Sequence, residues 1–162
     1  MSLSENVQRL QDRLDIQEML ASYCRHADLL DAAGMTSFFT DDCVVAYVPA
    51  EMGAPLEGKN SLLEFLLGYF PNTLSSSHHI ANVELLFDTP DQVTGHTYMY
   101  SWQRFRTAPA AADCHRWGRY ELRLLRSKQG WRMSHMRLVS VGELGGARIA
   151  EQFGRPWPPR FE

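Results

Sequence analysis

The chain has only three cysteines, Cys24, Cys43 and Cys114, and no two stand in a CxxC spacing. An odd number without that spacing argues against a disulfide framework or a zinc knuckle and fits a reducing cytoplasm. Basic residues are scattered, apart from a cluster between Arg116 and Arg126, and the net charge is −3. Neither nucleic acid nor an anionic membrane is therefore an expected partner. The longest apolar stretch, Leu62 to Phe70, is interrupted by Glu64 and falls well short of a membrane span. The opening Met1-Ser2-Leu3-Ser4-Glu5 lacks the basic and apolar regions of a signal peptide. Missing too are GxGxxG, the P-loop, HExxH and GxSxG, so nothing argues for a dinucleotide, ATP, a zinc protease or a serine nucleophile. His78-His79 and Asp41-Asp42 lack the spacing of a metal site, so no metal and no cofactor is expected. With no repeat and no linker, the 162 residues read as one domain, 1–162, with 143–162 as an extended tail.

What the chain does have is a strong opening helix. Ser4 is a plausible N-cap, and residues 5–31 read as helix ended by Gly34. Ile16, Leu20, Tyr23, Cys24 and Ala27 recur at three- and four-residue steps and form one apolar stripe. At about 100° per residue, Asp28 falls on the edge of that stripe, where a carboxylate is half-buried and its chemistry adjustable. Asp31 competes for the same role if the helix runs straight.

Strands follow. Residues 43–48 are rich in β-branched and aromatic side chains, and a second helix runs from Asn60 or Ser61 through Tyr69. Four further strand candidates, His78–Phe87, Gln92–Arg106, His115–Arg126 and Trp131–Val141, are joined by turns and suggest an antiparallel meander. Helices first and long strands afterwards indicate an α+β fold, one curved antiparallel sheet wrapped around helices. A helix across the mouth of such a sheet leaves an apolar hollow, a usual place for a small-molecule site. His78 and His79 point to opposite faces of their strand. His79 shares a row with Ala81, Val83, Leu85 and Phe87; His78 shares the more mixed row of Ile80, Asn82, Glu84 and Leu86.

The order Tyr23-x4-Asp28, Phe38-Phe39-Thr40-Asp41-Asp42, a strand with Tyr47, His78-His79-Ile80-Ala81-Asn82-Val83 and Gly130-Trp131-Arg132 resembles the SnoaL-like branch of the nuclear-transport-factor-2-like (NTF2-like) superfamily. The branch includes scytalone dehydratase, bile-acid 7α-dehydratase and hexachlorocyclohexane dehydrochlorinase. The resemblance spans residues 5–141. It implies a cone-shaped α+β barrel with an Asp–His pair in its mouth. The carboxylate position matches Asp28, and a His-x3-Asn pattern matches His78 with Asn82. Aromatic hydroxyls of the dehydratases match Tyr23 and Tyr47, and a last-strand arginine loosely matches Arg137, for which Glu121 or Glu143 offers a competing surface ion pair. Gln103 stands where scytalone dehydratase has a second catalytic histidine. A homo-oligomer, trimer or dimer, is implied as well.

An Asp–His pair without a nucleophile suits general base catalysis. The expectation is a cofactor-independent, dehydratase-like lyase acting on a small, largely apolar substrate, cyclic or open-chain. His78 takes the proton, Asp28 orients it, and Tyr23, Tyr47 and Arg137 contact substrate. An isomerase needs the same base. The fold also serves as a non-catalytic binding module, such as the small subunit of ring-hydroxylating dioxygenases.

Overall fold

A computed structural model describes residues 2–48, 54–106 and 111–146. The opening helix, α1, runs Leu3–Asp28 and is capped by Ser2, whose hydroxyl accepts from the Glu5 amide while Glu5 returns a bond to the Ser2 amide. The cap thus lies two residues before the predicted Ser4, because the capping box needs its glutamate three residues on. The expected stripe is real: Ile16, Leu20, Tyr23, Cys24 and Ala27 are all buried.

Gly34 does not end this helix. The Leu30 amide bonds the Ala27 carbonyl at 3.2 Å and the Asp31 amide bonds the His26 carbonyl at 3.0 Å, the two bonds of a Schellman cap. Leu30 takes the left-handed conformation at φ 57° that glycine usually supplies there. Gly34 sits instead inside a short helix, α2 (Ala32–Thr36), where a Cβ would overlap the His26 ring and the Asp31 carboxylate.

Strand β1 (Phe39–Val48) leads through β2 (Leu56–Glu57) to α3 (Lys59–Tyr69) and a single 3-10 turn. Four long strands follow: β3 (Thr73–Thr89), β4 (Gln92–Phe105), β5 (Ala112–Ser127) and β6 (Gly130–Leu144). Together they form one open, curved sheet in the order β2-β1-β6-β5-β4-β3. The last four are the predicted antiparallel meander, but β1 pairs with β6 in parallel, so the sheet is mixed. The last strand continues to Leu144, into the stretch expected as tail; the tail beyond residue 146 lies outside the described residues. Ile16, Leu20, Tyr23, Leu62, Leu66, Leu122, Leu124, Met133 and Met136 fill the space between helices and sheet.

Two carboxylates fasten α1 across the sheet, Asp12 in an ion pair and Asp28 through hydrogen bonds. Near its start, Asp12 is 2% exposed and accepts two bonds from Arg126 of β5, at 2.9 and 2.8 Å. Gln8 and the Trp131 indole add donors at 3.1 and 3.4 Å. At its end, Asp28 reaches β3.

The course of β3 explains which histidine faces inward. Between the pairs Ala81↔Tyr98 and Glu84↔His96, two residues of β3 oppose one of β4. That is a β-bulge. Asn82 sits in it at φ 54°, a left-handed conformation that asparagine tolerates better than most residues. The ladder gap is closed by Thr97, whose hydroxyl donates to the Ala81 carbonyl at 2.9 Å. The extra residue flips parity, so His78 and Ile80 face inward ahead of the bulge and Val83, Leu85 and Phe87 face inward after it. Asn82→Val is expected to cost about 1–2 kcal/mol in urea unfolding and Asn82→Gly close to nothing, because a β-branched residue resists the left-handed region.

Candidate active site

Asp28 is the last residue of α1, where the helix dipole disfavours a carboxylate by about 0.3–1 kcal/mol. Two bonds to β3 offset that cost. Asp28 Oδ2 accepts from the His78 backbone amide at 3.1 Å, and Oδ1 lies 2.8 Å from His78 Nδ1. The two side chains are 31% and 13% exposed. An ionised carboxylate only accepts, so Nδ1 carries the ring proton and Nε2 keeps its lone pair. The Ser76 hydroxyl is also 3.3 Å from Nδ1. The ring is thus fixed in place with its basic nitrogen turned away from its partners.

Neither competitor takes this role. His79 is exposed on the outer face, its ring 5.9 Å from Tyr100. Asp31 caps α2 through the Gly34 amide at 2.9 Å and pairs with His26 Nδ1 at 2.8 Å. The Gly34 amide first, and then His26, hold the Asp31 carboxyl below its usual range.

Of the other expected contacts, Tyr47 joins the inner face and the rest do not. Tyr47 packs on Phe65 with ring centroids 5.5 Å apart, and burial pushes its hydroxyl up to about 12 against the nearby Arg116 charge. Tyr23 is core: its ring is enclosed by Phe38, Phe39 and Tyr120, and its hydroxyl donates to Met136 Sδ at 3.6 Å. Arg137 is turned outward, 55% exposed, and pairs with Glu121 at 2.6 Å. It lies one residue past Met136, the inward position of β6, so parity carries it to the other face.

The arginine on the inner face is Arg116. Its side chain is 12% exposed and its Nη2 donates to Glu143 Oε1 at 3.0 Å. The Cys114 thiol donates to the same oxygen at 2.9 Å. Tyr69 donates to Gln103 Oε1 at 3.0 Å, and burial raises the Tyr69 and Tyr120 hydroxyls well above their ordinary range while Arg116 opposes the shift in both. Gln103, the departure from the dehydratase pattern, is therefore a buried acceptor for a tyrosine. The alternation of Cys114, Arg116, Tyr120, Leu122 and Leu124 along β5 was the signal that could have found Arg116.

The cysteines supply no thiolate beside the pair. All three cysteines are buried, and burial pushes Cys24 and Cys114 up to about 12, so each remains a neutral thiol. Among the described residues, no group of three His, Cys, Asp or Glu side chains is placed to hold a metal, and no helix is long and apolar enough to cross a membrane.

Comparison with known structures agrees with this architecture. A scytalone dehydratase-like protein from Novosphingobium aromaticivorans superposes with a TM-score of 0.79 at 18% identity, over 86% of this chain and 91% of that one. A type 2 hexachlorocyclohexane dehydrochlorinase gives 0.75 at 16% identity, over 86% and 91%. An aromatic ring hydroxylase-like protein, also from Novosphingobium aromaticivorans, gives 0.76 at 22% identity, over 87% and 97%. At these identities the likeness is one of fold. No match is found among curated proteins. The sequence model of the SnoaL-like domain covers residues 8–137, most of the chain, and this protein belongs to the SnoaL-like family.

Proposed function

We propose that the protein is a cofactor-independent lyase that eliminates water or a comparable leaving group from a small, largely apolar substrate, cyclic or open-chain. The observation that carries this reading is the doubly bonded Asp28–His78 pair, with Nδ1 on the carboxylate and Nε2 left basic. His78 Nε2 takes a proton from carbon, and the C–H electron pair forms the new double bond. The leaving hydroxyl departs with its own bonding pair and collects a proton from the imidazolium, which resets the base. Asp28 stabilises the imidazolium while it exists. Tyr47, whose hydroxyl burial keeps protonated, is a hydrogen-bond donor for the leaving oxygen or a developing oxyanion. The dehydratase-like and dehydrochlorinase neighbours perform eliminations by name, in keeping with this chemistry.

An isomerase would use the same base without losing a group. The two are separated by NMR in D2O with a panel of small cyclic alcohols and halides that carry an activated C–H. Loss of the leaving group with a new alkene signal is expected; a migrated double bond without loss makes the protein an isomerase. If no substrate is changed and no deuterium enters, the non-catalytic binding-module reading takes over.

The same proposal includes self-association as a trimer or dimer. Tyr98, Trp117 and Val141 are exposed on the outer face of the sheet, where Trp117 packs with Tyr100 and His115. Sedimentation is expected to show an oligomer that Trp117→Glu dissociates; a monomeric unsubstituted protein would reject this part.

A further inference from the structure

We propose that Arg116 is the anchor for a neutral oxygen acceptor, in effect a ketone or similar carbonyl, on a ring-sized apolar substrate whose other end lies at His78. The inference deepens the lyase reading and rests on it for the role of His78 alone; the acceptor preference is a binding property and stands without turnover.

The sheet register supplies the geometry. His78 of β3 lies directly opposite Ser101 of β4, Ser101 opposite Arg116 of β5, and Arg116 opposite Glu143 of β6. The four residues form one row across four strands. With strands about 4.8 Å apart, the His78 and Arg116 backbones are separated by about 10 Å. Ser101, between them, is small and buried, so the two long polar side chains of the row are separated by a short one. A single ring with one substituent matches that span.

The guanidinium is only partly used. Nη2 goes to Glu143, but Nε is buried and makes no hydrogen bond to any group among the described residues. A buried donor left unpaired is costly, about 1–3 kcal/mol and more on a charged group, so it marks a place where an acceptor is due. Tyr47, Tyr69 and Tyr120 are close enough to feel the Arg116 charge, and all three bring aromatic surface to the same inner face.

Charge decides which acceptor. Glu143 already balances Arg116, and Asp28 stands at the opposite end of the row. A carboxylate ligand would place three anions against one guanidinium in a largely buried setting. A carbonyl takes the Nε–H bond without adding charge, and it gains from the same donor as negative charge builds on its oxygen.

The test uses three probes of one size, 1-indanone, indane and indane-1-carboxylate, against the full chain. Affinity is read by titration, and the Arg116 side-chain Nε–H by proton–nitrogen NMR. The ketone is expected to bind at least about tenfold more tightly than the hydrocarbon, as one charge-assisted bond allows, and to move the Arg116 Nε–H signal. Arg116→Met should remove the preference and His78→Ala should keep it. Equal binding of ketone and hydrocarbon, no binding of the ketone, or tighter binding of the carboxylate overturns the proposal. So does a preference that survives in Arg116→Met. Should that variant fail to fold, the unsubstituted protein's affinities and Nε–H signal decide alone. Turnover that persists in His78→Ala while the ketone preference stands would reject the lyase reading and leave this site intact.

Discussion

His78→Ala is expected to lower turnover by about 10²–10⁴-fold, the contribution of one positioned general base. Asp28→Asn should approach the same loss by a different route. Asp28 accepts from two donors at once, the His78 amide and the ring Nδ1–H. Asparagine has one acceptor oxygen in place of two, and its NH2 offers a donor where an acceptor is needed. If the amide nitrogen faces the ring, Nδ1 must accept, the proton moves to Nε2, and the base is blocked. If the oxygen faces the ring, Nδ1–H keeps an acceptor, but the backbone amide loses its partner and the imidazolium loses the negative charge that stabilises it. Far-ultraviolet circular dichroism should be unchanged in both variants, because the pair lies at the end of α1 and partly in solvent. Initial rates on an eliminated substrate provide the measurement. Activity within threefold or so of the unsubstituted protein, in both variants, would reject the pair as the catalytic base.

Arg126→Met is expected to destabilise the fold by about 3 kcal/mol, toward the lower end for breaking a buried ion pair because Arg126 itself is partly exposed. The reason is the partner left behind. Asp12 is almost completely buried and would keep only Gln8 and the Trp131 indole as donors. Asp12→Leu with Arg126→Met should recover most of the loss, since the double variant strands no charge. The pH dependence changes sign between the two proteins. In the unsubstituted chain, burial pushes the Asp12 carboxyl up, but the Arg126 and Gln8 hydrogen bonds and the Arg126 charge more than offset it, and the net shift is downward. A lowered carboxyl contributes stability that is full above the ordinary carboxylate range and is lost as pH falls through the folded value. Without Arg126, burial dominates and the carboxyl moves up. The penalty then grows as pH rises above the ordinary carboxylate range and shrinks as pH falls back into it. Urea unfolding at pH 3, pH 5 and pH 8 reads both effects, the loss in the unsubstituted chain between pH 5 and pH 3 and the relief of the variant's penalty on going down from pH 8. An Arg126→Met variant as stable as the parent, with the same pH slope, would show that this pair does not secure α1.

Much of this architecture is legible in the residues because burial imposes a period. The stripe from Ile16 to Ala27 places Asp28 at the rim, and the alternation along the last four strands marks the meander. What the residues conceal are the places where the period breaks. His79 shares simple parity with Val83, Leu85 and Phe87, yet His78 faces inward with them, because one extra residue at Asn82 shifts the row. The His-x3-Asn pattern thus has a physical content: asparagine takes the left-handed turn that sets the histidine's face. Leu30 conceals the end of α1 in the same way, since a leucine at a left-handed cap gives no compositional sign. The resemblance matches Arg137 only by position along the last strand, and Met136 holds the inward place beside it. Arg116 was legible by alternation with Cys114 and Tyr120, but a basic cluster on a strand reads first as a solvated face. The parallel pairing of β1 with β6 is non-local and leaves no mark in either strand's own residues.

The central claim is tested most directly by nitrogen NMR of the His78 ring in its neutral form, which reads where the proton sits. The Nδ1–H tautomer with an unprotonated Nε2 is the expected result, with the proton relocated or averaged in Asp28→Asn. A ring found as the Nε2–H tautomer in the unsubstituted protein would contradict the account.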